Sequence, residues 1–192
     1  MTILILGLVI FLLPHSVRML ADGWRTQTWA RVGEGAYKGL YSLVSALGLG
    51  LIIYGFGLAR QQPVQMWSPP TGMRHVASLL MLLSFVLLAA AYVPGNQIKA
   101  RLHHPMVLGV KTWAVAHLLA NGNLAHWVLF GSFLVWGVWN FVVSKRRDRL
   151  TAVVYPAGNS KATVITVVAG AIGWALFTFM LHGLLIGVRP LG

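Results

Sequence analysis

The chain has 192 residues, of which 57% are hydrophobic and only 9% are charged. Because a soluble domain carries about 25% charged residues, this composition excludes an ordinary water-soluble enzyme and indicates a protein that folds in lipid. Lys and Arg together number 15, against three acids, which gives a net charge of +12, and Cys is absent. The lack of Cys excludes disulfides, zinc–thiolate sites and cysteine-ligated iron–sulfur clusters.

Stretches without charged residues locate the predicted helices. A bilayer span needs about 20 mainly apolar residues, and uncharged stretches cover residues 1–17, 39–59, 75–98, 112–144 and 162–188. The stretch 112–144 is too long for one span, so we divide it at Asn121-Gly122-Asn123, which is a strong turn sequence. The sequence therefore predicts an all-α membrane bundle, one integral membrane domain over residues 1–192, with six transmembrane helices at about 2–21, 39–59, 74–94, 105–121, 124–144 and 162–188.

Basic residues between these helices predict the orientation in the membrane. The first helix is interpreted as a retained span, since no basic segment precedes it and Pro14-His15 follow its apolar run. Ten basic residues lie on one side, namely Arg25, Arg31, Lys38, Lys99, Arg101, Lys145, Arg146, Arg147, Arg149 and Lys161. Only Arg60, Arg74 and Arg189 lie on the other, and Arg18 and Lys111, which lie in or at the ends of helices, are not counted. The positive-inside rule then places both termini on the non-cytoplasmic side of a bacterial inner membrane, and the same assignment accounts for the charge without a nucleic-acid partner.

Glycine pairs predict where helices pack closely, because a missing side chain lets backbones approach. The pairs are Gly48 and Gly50, Gly55 and Gly57, Gly170 and Gly173, and Gly183 and Gly187.

Histidines are the main candidates for chemistry in a chain with so few acids. There are seven, at His15, His75, His103, His104, His117, His126 and His182. Five of them lie near predicted helix ends, where capping or interfacial hydrogen bonding explains them, although a second ligand set from His75, His126 and His182 stays open. His15 and His117 lie deeper, where an imidazole bridges helices, relays protons or ligates a metal.

Heme suits this composition better than a hydrated ion or a proton pump. The porphyrin itself supplies most of the iron ligands, so two imidazoles complete the shell with little other polar chemistry. From the same predicted boundary His15 lies roughly 10 Å deep and His117 roughly 9–18 Å deep, so the spacing permits one shared heme without requiring it. Arg18, one turn after His15, and Lys111 are candidate partners for heme propionates. Trp113 shares a helix face with His117 and either packs in the bundle or lines a macrocycle.

One segment resembles a known signature. His104 to Gly122, HPMVLGVKTWAVAHLLANG, resembles the signature of the NnrU family, small multi-span membrane proteins associated with denitrification that also include the plant and cyanobacterial 15-cis-zeta-carotene isomerases. Phe11 followed by His15-Ser16, and Trp139 ahead of the basic run, resemble the same family. The resemblance implies a heme b whose iron is ligated by His15 and His117. It also implies an orienting role for His104, the His-Pro histidine.

Three functions follow from these observations. The first is a heme- and iron-binding membrane protein that supports nitrogen-oxide respiration by electron transfer, sensing or maturation of a respiratory reductase. The second is a heme-dependent cis–trans isomerase acting on a hydrophobic polyene. In those isomerases a Cys three residues before the second His is a proposed iron ligand, and here that position is Ala114. The third is a cofactor-free scaffold or transporter in the lipid bilayer. Catalytic residues, and whether the protein is an enzyme, are left open.

Overall fold

A computed structural model describes residues 1–191, and its regular structure is helical. The elements in chain order are α1 (Thr2–Leu20), α2 (Asp22–Val32), α3 (Glu34–Ala59), α4 (Met73–Tyr92), α5 (Gln97–Leu102), α6 (Pro105–Ala120), α7 (Leu124–Leu150), α8 (Ser160–Leu176), a π-helical segment (Phe177–Leu181) and α9 (His182–Ile186). Each predicted apolar helix is present, so the all-α membrane fold is confirmed.

Five helices are long and apolar enough to cross a membrane: α1, α3, α4, α7 and the continuous run Ser160–Ile186. Only 17–22% of the residues in their most apolar windows are buried within the protein. Leu43 and Val135, for example, are each 71% exposed. A helix that is apolar around its whole circumference and mostly uncovered is stable in lipid. The sixth apolar helix, α6, has 16 residues and is about 24 Å long, slightly short for a typical hydrocarbon core.

The segments between the apolar helices differ from the prediction. The sequence predicts loops at residues 22–32 and 97–102, but these residues form α2 and α5, and α7 continues through the basic run to Leu150 instead of ending near residue 144. Lys and Arg are good helix formers. The end of an apolar stretch therefore marks a membrane boundary, and the helix itself continues beyond it.

The helices group into two compact units, residues 1–66 with 123–132, and residues 67–122 with 133–191. In the first unit α1 packs along α3. A Cβ atom added at Gly48 would lie 2.7 Å from a backbone nitrogen of α1, and one added at Gly55 would collide with the backbone of Leu4. Gly50 and Gly57 have no such neighbour within 4 Å. For the two glycine pairs of α3, the prediction of close packing is thus right for Gly48 and Gly55 and wrong for Gly50 and Gly57.

In the second unit α4 packs against both α6 and α8. A Cβ atom added at Gly170 of α8 would lie 2.6 Å from the Cα atom of Val86 in α4. The hydroxyl of Ser84, which is fully buried, donates a hydrogen bond of 2.8 Å to the carbonyl of Gly109 in α6. In a bilayer, apolar side chains gain little by leaving lipid for another helix. Close backbone packing and interhelical hydrogen bonds such as these therefore hold the helices together.

Asn96 connects the end of α4 to the start of α5. Its side chain is 2% exposed, and Nδ2 donates to the carbonyls of Ala90 at 2.9 Å and Val93 at 2.6 Å. Its Oδ1 accepts from the backbone nitrogen of Lys99 at 2.7 Å, which caps α5. One amide side chain therefore satisfies the backbone of two helix ends.

Candidate functional site

His15 lies inside the apolar helix α1, with its ring partly buried. Its Nδ1 is 2.6 Å from the carbonyl oxygen of Phe11, one turn earlier. Since a carbonyl only accepts, Nδ1 must carry the hydrogen, and the lone pair is on Nε2. The ring stacks on Phe11 at a centroid distance of 4.2 Å and lies 5.1 Å from the ring of Tyr41 in α3. These contacts fix both the tautomer and the orientation of the imidazole.

His117 shows the same arrangement on α6. Its Nδ1 is 3.0 Å from the carbonyl oxygen of Trp113, again one turn earlier, so Nε2 again carries the lone pair. The two rings lie 5.5 Å apart, and the indole of Trp113 packs edge-on against Phe133 at 5.3 Å. Trp113 therefore anchors His117 with its backbone and packs with its side chain. Ala114, on the same helix, is fully buried.

The histidines at helix ends have different surroundings. Nδ1 of His126 contacts the Oδ1 atom of Asn123, and its ring meets Phe56 edge-on at 5.1 Å. His182 also carries hydrogen on Nδ1, which donates to the carbonyl of Val188 at 2.6 Å, but it lies in the terminal turn α9. His75 is exposed in the first turn of α4.

Arg18 and Lys111 are the predicted partners of the heme propionates, and the structure places Arg18 on α1 and Lys111 on α6. Arg18 is exposed, one turn after His15 on α1. Lys111 extends from α6 toward α7, where its Nζ lies 4.7 Å from the centre of the Phe141 ring, a cation–π contact. Gly137 leaves room for the stem, since an added Cβ atom there would lie 2.8 Å from the Lys111 Cγ. From the pitch of α6, Lys111 points about 120° away from His117.

His104 belongs to a polar cluster that the sequence analysis did not find. Its Nε2 lies 2.8 Å from Oδ2 of Asp148, and the two side chains are 14% and 12% exposed. The approach is not aligned for a hydrogen bond, whereas the hydroxyl of Tyr155 donates to the same oxygen at 2.7 Å. His104 lies about 20 Å along α6 from His117, so it does not orient that ring; the Trp113 carbonyl does. A role for His104 at a cofactor stays a prediction.

Burial governs protonation in this cluster. Burial lowers the pKa of His104, and it outweighs the opposing attraction of Asp148. Burial, together with donation to Asp148, raises the pKa of Tyr155 to about 12. Near neutral pH the imidazole is therefore uncharged, and the Tyr155 hydroxyl keeps its proton and donates to Asp148.

Two strained backbone positions lie beside this cluster. His103 has φ 67° and ψ −49°, and the nitrogen of His104 donates to the carbonyl of Leu102 at 2.8 Å. This is a γ-turn of the rare, strained kind. The His103 ring stacks flat on Tyr155 at 4.1 Å. Ala152, just after α7, has φ 48°. The signals in the sequence were the His-His-Pro run and a single acid within the basic run 145–149, but neither indicates its partner.

Within residues 1–191, no group of three or more His, Cys, Asp or Glu side chains is placed to hold a metal ion. That finding concerns centres built wholly from side chains. A porphyrin iron needs at most two protein ligands.

These features define an integral membrane protein of packed helices with anchored imidazoles inside its apolar helices. The sequence profile of the family described as "NnrU protein" matches residues 3–190 of the 192. The chain therefore belongs to the NnrU family, as the resemblance at residues 104–122 predicted. No curated protein and no solved structure matches the chain.

Proposed function

We propose that this NnrU-family protein binds heme b through the Nε2 atoms of His15 and His117 and supports nitrogen-oxide respiration. The observation that carries the proposal is the shared anchoring of the two rings. In each, Nδ1 donates to a backbone carbonyl one turn earlier, which directs the ligating lone pair to Nε2. Histidines that ligate metals are commonly oriented by such a hydrogen bond from the other ring nitrogen.

The surrounding residues suit this role. Phe11 and Tyr41 hold the His15 ring, and Trp113 packs beside His117, so neither imidazole is loosely placed. Arg18 is the propionate partner we favour, because it is exposed one turn after His15 on the same helix. When bound, heme would supply reversible one-electron chemistry at its iron, at a potential that the ligating residues tune.

Heme content of purified variants tests the proposal. Wild-type protein expressed with sufficient heme is expected to show low-spin Soret and α/β bands and a fixed heme-to-protein ratio. His15→Ala and His117→Ala should each lose most of the heme. A colourless wild-type protein would refute the proposal.

Two control variants separate ligation from histidine loss in general. His75→Ala removes an exposed ring, and His182→Ala removes a ring with the same Nδ1 donation at a helix end. Both should keep the wild-type heme content. Equal heme in all four variants would exclude the assigned ligands. In addition, His15→Gly and His117→Gly should regain the Soret band when imidazole is added, which a purely structural role would not produce.

The respiratory role concerns electron transfer, sensing or maturation of a partner reductase. It is supported by family membership and by the suitability of two anchored imidazoles as ligands of a redox-active heme iron. A deletion strain growing anaerobically on nitrite should be impaired and should recover with the wild-type gene or with His75→Ala. Recovery with the His15→Ala/His117→Ala double variant would show that any such role does not use heme.

The bacterial inner membrane, with both termini outside the cytoplasm, is the location we propose, supported by the bias of ten basic residues against three. Because the chain contains no Cys, a single introduced cysteine is the only thiol of the protein that a maleimide can label. In intact cells, Thr2→Cys should react with an impermeant maleimide and Arg146→Cys should not. The reverse pattern would invert the topology.

A further inference from the structure

A cavity of about 540 Å³ opens where α7 ends. Lys145 and Arg149 line one side of it, and His103 and Tyr155 line another, with Asp148, Ala152 and Val153 completing the wall. All of these residues belong to one compact unit. We call this space the α7-end cavity.

The α7-end cavity carries a net positive charge, because Lys145 and Arg149 line it together with one acid, Asp148. Ion pairs among residues 1–191 involve Arg25, Lys38 and His104, so neither Lys145 nor Arg149 has a carboxylate within 4.0 Å. Asp148 is the acid of the wall, and its Oδ2 already accepts from Tyr155 and faces His104. Two cations are thus left facing an open cavity.

The cavity wall is also fixed in shape. Arg149 Nε donates to the backbone carbonyl of Lys145 at 3.4 Å, which directs the Arg149 side chain back along α7. His103, which lies in the wall, has a positive φ in a strained γ-turn. Non-glycine residues keep such strained conformations only where the surrounding structure imposes them, and they are concentrated at ligand sites.

We propose that the α7-end cavity binds a phosphate group. A guanidinium and an ammonium one helical turn apart suit phosphate oxygens, Arg through paired hydrogen bonds and Lys as a point charge. The cavity is larger than phosphate alone, so it accommodates the group to which the phosphate is attached. That phosphate belongs either to an anionic lipid headgroup, since the end of a spanning helix lies at headgroup depth, or to a soluble phosphate compound.

Binding measurements on the purified full-length protein in detergent distinguish these sources. One arm titrates inorganic phosphate and glycerol phosphate by calorimetry. The other measures energy transfer from tryptophan to pyrene-labelled phosphatidylglycerol, with pyrene-labelled phosphatidylcholine as the reference lipid. The test variant is Lys145→Gln/Arg149→Gln. The control is Arg146→Gln/Arg31→Gln, which removes the same charge from residues outside the cavity wall.

The test variant should bind at least one anionic probe about tenfold more weakly, while the control stays within about twofold of wild type. Loss confined to phosphatidylglycerol identifies a headgroup site, and loss of the soluble probes identifies a soluble ligand. If wild type binds neither class of probe, or if both double variants weaken equally, the proposal is overturned. Should the test variant fold poorly, Lys145→Gln alone provides the readout, with an expected loss of about threefold.

Discussion

Loss of the Asn96 side chain in an Asn96→Ala variant is expected to destabilise the junction between α4 and α5. It removes two hydrogen bonds to the carbonyls of Ala90 and Val93 and the cap at Lys99. Each bond contributes about 0.5–1.5 kcal/mol net, and an N-cap about 1 kcal/mol. Since the side chain is only 2% exposed, water does not readily replace it. The expected loss in the free energy of unfolding is about 2–4 kcal/mol.

The measurement is equilibrium unfolding of the purified protein by SDS titration from mild detergent, followed by circular dichroism. Asn96→Asp keeps the oxygen that caps Lys99, but it cannot donate to the two carbonyls and places a desolvated carboxylate against their oxygens, so it should lose at least as much stability as Asn96→Ala. Asn140→Ala is the control, because Asn140 makes one hydrogen bond, from Ser144 at 3.0 Å, and should cost less than about 1 kcal/mol. An Asn96→Ala protein within about 0.5 kcal/mol of wild type would refute the reasoning.

Three further predictions use the same unfolding assay. Gly55→Ala should cost about 1–3 kcal/mol through collision with α1, whereas Gly57→Ala, with open space around it, should not destabilise; equal effects would contradict the packing. Ala152→Gly should stabilise by about 1 kcal/mol, because α7 ends in a Schellman motif with an alanine in the left-handed position, and a loss would contradict that assignment. Burial lowers the pKa of His104 in the folded protein, so the free energy of unfolding should be at its full value above pH about 6.5 and should fall as the pH drops below that value. His104→Gln should flatten this pH dependence of stability. An unchanged pH profile would exclude His104 as its source.

The membrane helices were predictable because the bilayer imposes a length and excludes charge. Uncharged runs located the apolar helices, and the Asn121-Gly122-Asn123 turn was confirmed, with α6 ending at Ala120 and α7 beginning at Leu124. The sequence did not predict the π-helical segment at Phe177–Leu181, because no feature of its composition distinguishes it from α-helix.

The polar helices were missed because a search for uncharged runs does not detect them. α5 has only six residues, and its start depends on the Asn96 cap and on a hydrogen bond from the nitrogen of Gln97 to Thr163, 66 residues later. Local propensity cannot report such a contact. Close packing was predicted for both glycines of each pair, but in α3 only Gly48 and Gly55 approach a neighbouring helix, and Gly187 approaches none, because the face a helix presents to its partner is known only from the fold.

The candidate site also has one part that the sequence predicts and one part that it does not. Anchoring of His15 and His117 is local, since each ring donates to a carbonyl of its own helix, and their depth in apolar stretches was visible in the sequence. The contact of His104 with Asp148 joins residues 44 positions apart and could not be inferred without the fold. Whether His15 and His117 share one heme stays a prediction.

The small number of acids makes their placement informative. Asp22 pairs with Arg25 at 3.7 Å, and Glu34 pairs with Lys38, both within one exposed helix turn or so, and such pairs add little stability. Asp148 is less exposed, with 12% of its side chain accessible, and it lies beside an uncharged imidazole and a tyrosine that keeps its proton. A buried carboxylate is costly unless its partners satisfy it. Asp148 also lines a cavity with two cations that form no ion pair with a carboxylate of residues 1–191, so the end of α7 combines charged groups that apolar helix packing alone does not require.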